Sequence, residues 1–110
     1  MKTAFSKPGN MLYPVPPVLV SCADASGRAN LVTVAWTGTV CSDPPMLSIS
    51  LRRERFSYAM IRKSGEFTVN LTNRALLPSC DFCGVKSGRD TDKFASCRLT
   101  AETGREVSCP

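Results

Sequence analysis

The sequence contains no histidine, which removes both the commonest general base and the commonest metal ligand of proteins. Any catalysis by this chain must therefore depend on something other than an imidazole. Long hydrophobic runs are absent too, because the longest weakly charged stretch, residues 12–22, is interrupted by Pro14, Pro16 and Pro17. Such a stretch is neither a membrane span nor the core of a signal peptide, so we expect a cytoplasmic protein with no membrane partner.

Aromatic residues are scarce, at 7% of the chain, and this bears on the excess of positive charge. The formal net charge is +5, with basic residues concentrated in segments 52–55, 62–63 and 86–93. Such clusters suit nucleic acid or a phosphate-bearing ligand. Apart from Phe56 and Tyr58, which a predicted helix accounts for, no aromatic residue alternates with them as a stacking platform. We therefore expect a phosphate-bearing small molecule and no nucleic acid.

The cysteines allow several interpretations. A disulfide framework is disfavoured because no secretory segment accompanies them, so reduced thiols are the better interpretation. Residues 80–83 have the C-x-x-C spacing of a redox or metal site, and four thiols could together hold zinc or an iron–sulfur cluster. The later cysteines lack a second close pair, however, so we favour buried free thiols and no metal. The six are Cys22, Cys41, Cys80, Cys83, Cys97 and Cys109.

The pattern of apolar residues predicts a single domain over residues 1–110 that begins with an irregular arm, residues 1–13. An apolar run at 18–23 predicts a strand, and the turn at 24–27 leads into a long returning strand, residues 29–40. These two strands are expected to pair in antiparallel fashion.

Further strands and helices follow along the chain. Residues 46–51 alternate, with Leu47, Ile49 and Leu51 predicted to face the core. Helical spacing at 57–64 predicts a short helix with Ser57 as N-cap and Gly65 near its C-terminal end. A fourth strand is predicted at 66–72 and a second helix at 75–85, after which the pattern weakens. The order of these elements indicates a small, mainly β, antiparallel barrel with two short helices.

Specific segments resemble the flavin-reductase-like family of the flavoredoxin type, in the order and spacing that the family shows. The segments are residues 17–21 (PVLVS), 27–36 (GRANLVTVAW), 43–45 (DPP), 48–51 (SISL), 65–70 (GEFTVN) and 84–94 (GVKSGRDTDKF).

The resemblance implies an FMN-binding split β-barrel with Greek-key-like connections, assembled as a homodimer with FMN near the subunit interface. It implies an NAD(P)H-dependent flavin reductase or flavoredoxin-like oxidoreductase, fed by a nicotinamide nucleotide or a redox protein and passing electrons to flavin, a ferric complex or a partner protein. Family members usually run well beyond this length, so we expect a C-terminally truncated chain with an incomplete barrel. The alternatives are a non-catalytic FMN- or phosphate-binding module and an inactive fragment.

The residues that carry the resemblance also suit FMN chemically. A phosphate-binding site is predicted from four groups: the hydroxyls of Ser48 and Ser50, the Arg52 guanidinium and a helix start at Ser57. Residues 33–36 are then expected beside the ring. Lys86, Ser87 and Lys93 of the later loop are expected to serve as a lid or as a second phosphate contact. No catalytic residue is assigned. The expected cofactor contacts are Asn30, Thr33, Val34, Ala35, Trp36, Ser50, Leu51, Arg52, Ser57, Lys86, Ser87 and Lys93.

Overall fold

The computed structural model describes all residues, 1–110, and its centre is a three-stranded antiparallel sheet. Strand β1 (Val18–Ala23) lies in the middle, between β2 (Ala29–Val34) and β5 (Thr68–Leu71). The turn between β1 and β2 is held by Asp24, whose carboxylate accepts hydrogen bonds from the backbone of Ser26 and Arg28. This matches the predicted hairpin.

Both faces of this sheet are covered, which explains why β1 is apolar along almost its whole length. On one face Val18, Val20, Val32 and Val34 form a buried cluster, joined by partly buried residues that include Ile61 of the first helix. On the other face Leu19 and Leu31 pack with cysteines and with residues of the later helices. The sheet therefore holds two separate layers of helix in place.

A second sheet consists only of the hairpin β3 (Thr37–Ser42) and β4 (Pro45–Ile49). Three α-helices complete the fold: α1 (Phe56–Ser64), α2 (Leu77–Val85) and α3 (Lys93–Cys97). A one-turn helix, Arg74–Leu76, leads directly into α2. The structure is thus mainly β with antiparallel sheets, and its barrel is not closed.

The predicted long strand at 29–40 is wrong, because the chain bends at Ala35 and Trp36 and its second half joins the other sheet. The register explains the break. Val34 pairs with Val18, so the next positions would face Pro17 and Pro16, which have no N–H group to donate. The ladder therefore ends there, and β3 pairs with β4 instead.

The core face predicted for β4 is only partly correct. Ile49 and Leu51 pack against the valine cluster, but Leu47 is 48% exposed. Since β4 pairs only with β3, its outer part extends beyond the three-stranded sheet and has no layer to pack against.

The helices also differ from the prediction. Helix α1 begins one residue earlier, with Arg55 at the N-cap position, so Ser57 lies within its first turn. Gly65 caps the C-terminus with φ of 76°, as expected. Helix α3 was not predicted; Asp92 caps it by accepting a hydrogen bond from the Ala95 amide. It is only five residues long, too short for apolar periodicity to be recognised.

None of the helices has the length and apolar character that crossing a membrane requires.

Candidate functional site: a basic cavity beside an exposed tryptophan

A cavity of about 240 Å³ lies where the start of α1, strand β2 and the loop after α2 meet. We call it the basic cavity, because five cationic side chains line it against a single carboxylate, that of Glu54. The cations come from segments far apart in the chain. They are Arg52, Arg55, Lys86, Arg89 and Lys93.

Lys93 is the most unusual of these cations, since its side chain is almost completely buried, at 3% exposure. Its Nζ donates to the carbonyls of Leu31, at 2.7 Å, and Cys83, at 2.9 Å. Burial is the main cause that lowers the pKa of Lys93. An ammonium carries three protons, so one donor remains after both carbonyl bonds, and no carboxylate pairs with it. The cavity therefore contains a partly satisfied buried cation, which is a good environment for an anion.

The wall of the basic cavity is held by a hydrogen bond between two strongly buried side chains. Asn30 on β2 donates through Nδ2 to the hydroxyl of Ser57 on α1, at 2.8 Å. Gly88 in the later loop passes so close that a Cβ added there would lie 2.2 Å from Oδ1 of Asn30. A glycine is needed at position 88 for this close approach, not for an unusual φ.

Arginines fasten the surrounding segments to each other. Arg55 donates to the carbonyl of Gly84, at 2.9 Å, and so ties the start of α1 to the end of α2. Arg28 donates to the carbonyl of Gly88, at 2.6 Å, and its guanidinium lies 5.1 Å from the centroid of the Phe56 ring. These contacts hold the loop after α2 against α1, so that its amides and side chains line the cavity.

Arg52 is different, because its side chain is 64% exposed and forms the only ion pair in the structure, with Glu54. An exposed pair of this kind contributes little stability. The Arg52 guanidinium is therefore free to exchange Glu54 for a ligand anion at small cost.

A second cavity, of about 570 Å³, lies beside Trp36; we call it the Trp36 cavity. Trp36 is 50% exposed and so is not an ordinary core residue. The cavity is walled by the bend after β2, by Ser48 and Ser50, and by residues 9–13 and 15 of the N-terminal arm. Backbone Ser50 donates to the carbonyl of Trp36 at 2.8 Å, which joins the two strand ends.

The two cavities are neighbours along the chain in two places. Val32 lines the basic cavity, and Ala35, three residues later, lines the Trp36 cavity. Likewise Arg52 lines the basic cavity, and Ser50, two residues earlier, lines the Trp36 cavity. A ligand with an anionic end and a flat, largely apolar end matches this arrangement.

The predicted contact residues fall into three groups: those that line the basic cavity, those that line the Trp36 cavity and those that line neither. The basic cavity brings together Asn30, Arg52, Ser57, Lys86, Ser87 and Lys93, and the Trp36 cavity contains Ala35, Trp36 and Ser50. The remaining three lie in neither cavity: Thr33 donates its hydroxyl to the Cys80 carbonyl, Val34 is buried in the valine cluster, and Leu51 packs against it.

Several residues that line the basic cavity were not among the expected contacts, notably Arg55, Phe56 and Arg89. Both arginines belong to basic clusters of the sequence, so the charge pattern is the signal that indicates them. What the sequence lacks is any sign that segments 52–57 and 85–89 face each other.

All six cysteines are free thiols; Cys41 and Cys97 are half-buried and the other four are buried. No group of three or more cysteine, aspartate or glutamate side chains is arranged to hold a metal ion.

Comparison with known proteins assigns the chain to a family. The model of the flavin reductase like domain matches residues 10–110, so the chain belongs to this family. A curated protein of Aeropyrum pernix is 37% identical over 79 residues, which are 72% of this chain and 30% of that protein.

Solved structures agree with the assignment. Flavoredoxin of Desulfovibrio vulgaris (Miyazaki F) is 37% identical, with a TM-score of 0.90 over 100% of this chain and 60% of its own. The FMN-binding domain of a flavin reductases-like enzyme from Shewanella baltica is 27% identical, with a TM-score of 0.79 over 86% of this chain and 50% of its own. The chain therefore has the split-barrel fold and spans between about a third and three fifths of these proteins.

Replacing Gly88 with alanine tests the close packing of the basic cavity. The added Cβ would overlap the Asn30 side chain, so we expect Gly88→Ala to lower the free energy of unfolding by about 1 to 3 kcal/mol. Urea denaturation of the purified chain measures this. Gly38→Ala is the matched control, because a Cβ at position 38 meets nothing within 4 Å. Equal stability of the two variants would show that the loop does not pack against Asn30.

Proposed function

We propose that this chain binds FMN, with the phosphate in the basic cavity and the flavin ring in the Trp36 cavity. The observation that carries the proposal is the buried, carboxylate-free ammonium of Lys93 among the other cations of the basic cavity. A dianionic phosphate supplies the negative charge that this group of side chains lacks.

The arrangement of donors also suits a phosphate. Helix α1 begins at the basic cavity, where Phe56 and Ser57 line the wall and the amides of the first turn favour an anion. Ser87 adds a hydroxyl from the loop, and Lys86 an exposed ammonium. Lys93, Arg52 and these loop residues are the side chains that we expect to hold the phosphate.

The Trp36 cavity suits the other end of the cofactor. Half of its lining residues are hydrophobic, and Ser48 and Ser50 provide polar groups on one side. A flat heteroaromatic ring needs this combination of apolar surface and a few hydrogen-bonding groups. The name of the Shewanella baltica relative, an FMN-binding domain, supports the same ligand.

We further propose that the protein is an oxidoreductase of the flavin reductase or flavoredoxin type. Bound FMN would supply the electron transfer. The chain's own residues bind and orient this group. The proposed electron donor is NADH, NADPH or a redox protein, and the proposed acceptor is free flavin, a ferric complex or a partner protein.

A passive FMN-binding module is the second candidate, and one observation favours it. Glu54 is the only carboxylate that lines either cavity, and it is exposed and paired with Arg52. Beside the proposed position of the flavin ring there is therefore no carboxylate or imidazole for proton transfer, and Tyr13 is the one ionisable side chain that lines the Trp36 cavity.

Removing one cationic side chain tests the phosphate site. We expect Arg52→Ala to weaken FMN binding by about 1 kcal/mol, roughly fivefold in Kd, because the guanidinium is exposed and already paired. Titration followed by flavin fluorescence measures this. Arg62→Ala, an exposed change in the last turn of α1 outside both cavities, should leave the Kd unchanged.

Riboflavin, which has the same ring without the phosphate, separates the two ends of the ligand. It should bind more weakly than FMN, and Arg52→Ala should not alter its Kd. Equal affinity of the wild-type chain for FMN and riboflavin would place the phosphate outside the basic cavity. A chain that binds neither ligand would contradict the proposed function.

Turnover distinguishes the two candidate functions. With NADH or NADPH and an excess of free FMN, an oxidoreductase should oxidise the nucleotide steadily, which the loss of absorbance of the reduced nicotinamide follows. The same mixture without protein is the control for spontaneous reduction. Stoichiometric FMN binding with no oxidation of either nucleotide would favour the passive module.

We also propose that a second copy of the chain covers the β3–β4 hairpin. Its Val40, Met46 and Leu47 are exposed by about half or more, and Trp36 lies at its base. A hairpin that pairs only with itself is marginally stable in water, so packing against a partner would stabilise it.

Sedimentation equilibrium tests the homodimer, which should have twice the mass of the 11.9 kDa chain. Leu47→Asp should shift the equilibrium toward the monomer by placing a charge on the apolar hairpin. Leu77→Asp changes a leucine in the first turn of α2 that is even more exposed, at 63%, and should not shift this equilibrium. A wild-type chain that sediments as a monomer at tens of micromolar would contradict the proposal.

A further inference from the structure

Two cysteines lie close together on neighbouring helices, behind the residues that line the basic cavity. The sulfur of Cys83 on α2 is 3.9 Å from the sulfur of Cys97 on α3. A disulfide needs about 2.05 Å between the sulfurs, so the two atoms need to approach by about 2 Å. Cys80, one helical turn before Cys83 on α2, is buried in the same apolar cluster.

The two thiols differ in their surroundings. Cys83 is fully buried, and this burial raises its pKa to about 12, so its thiol resists ionisation. Cys97 is only half-buried and is therefore the sulfur that a small oxidant reaches from solvent. Lys93 lies one helical turn before Cys97 on α3 and places its ammonium within electrostatic range of both thiols. For Cys83 this ammonium opposes the effect of burial on the pKa without overcoming it.

We propose that Cys83 and Cys97 are a redox pair that a peroxide converts into a reversible disulfide, and that the bond restrains the loop of the basic cavity. The proposal does not depend on FMN binding, because the pair, the loop and the oxidant are all independent of the cofactor. It assigns a role to two cysteines that the proposed function leaves unused.

The chemistry needs two steps and one equivalent of hydrogen peroxide. The Cys97 thiolate attacks one peroxide oxygen; an S–O bond forms, the O–O bond breaks, and the departing hydroxide takes up the thiol proton as water. Cys83 then attacks the Cys97 sulfenic acid; the S–S bond forms, the S–O bond breaks, and hydroxide leaves with the Cys83 proton as a second water. Two thiols lose two electrons in total, and the peroxide gains them.

The link to the basic cavity runs through the backbone of Cys83. Its carbonyl accepts a hydrogen bond from Lys93, and residues 85–89, which line the cavity, begin two positions later. A bond between α2 and α3 closes a loop across this segment and limits how far the two helices separate during local opening. Oxidation therefore makes the loop more rigid.

Mass spectrometry of the purified full chain tests the bond itself. After treatment with a small excess of hydrogen peroxide, the intact mass should fall by about 2 Da for two lost hydrogens, and proteolysis without reductant should yield a crosslinked peptide pair containing Cys83 and Cys97. Dithiothreitol should restore the original mass. Cys97→Ser should abolish the loss, whereas Cys41→Ser, at the half-buried cysteine of the hairpin, should not change it.

Hydrogen exchange tests the restraint, with the bond measured on the same sample. Amides of residues 85–91 should exchange at least twofold more slowly in the oxidised chain, while those of the hairpin 37–49 should not change. A Cys80–Cys83 bond, or no bond, would overturn the proposed pair. A mapped Cys83–Cys97 bond with unchanged exchange at 85–91 would overturn its effect on the cavity.

Discussion

The buried ammonium of Lys93 is the interaction on which the candidate site depends. Lys93 is the first residue of helix α3. Its Nζ donates hydrogen bonds to the carbonyl of Leu31 on β2 and to that of Cys83 on α2, so this one side chain joins three elements. Burying an ammonium without a counter-ion is unfavourable, and two neutral carbonyls compensate for only part of the lost hydration. The wall of the basic cavity thus holds a buried positive charge with no carboxylate beside it, and the proposed phosphate site rests on this charge.

A second constraint comes from prolines that line up against the end of a strand. Because Pro16 and Pro17 cannot donate to the ladder, β2 ends at Val34 and the chain bends before β3 begins. The bend leaves Trp36 half exposed instead of buried, and it creates the second cavity next to the N-terminal arm. The end of the strand pairing therefore leaves the ring of Trp36 exposed in the cavity next to the basic cavity.

The cysteines show how the same residues can serve packing and chemistry. Cys80 and Cys83 belong to the apolar layer beneath α2, as their neighbours in the sequence indicate. Yet Cys83 also lies against Cys97 and presents its carbonyl to Lys93. The apolar layer, the buried cation and the thiol pair thus all contact one residue, Cys83, two positions before the loop that lines the basic cavity.

Much of the fold was predictable, since hairpin turns, strand alternation and helix caps depend on near neighbours in the chain. The turn before β2, the pairing of β1 with β2 and the left-handed cap at Gly65 were predicted on these grounds, whereas the split of residues 29–40 required the register with Pro16 and Pro17. Helix α3 could not be found, because five residues show no useful period.

For the candidate site, the sequence by itself determined which functional groups are present: clustered cations, hydroxyls beside a strand and no histidine. Only the tertiary structure decided that Arg55 and Arg89 share a cavity with Lys93, that Lys93 is buried without a carboxylate, and that Cys83 meets Cys97. The physical reason is that local patterns report the faces of single elements, whereas a cavity and a buried charge arise from elements distant in the chain that pack together.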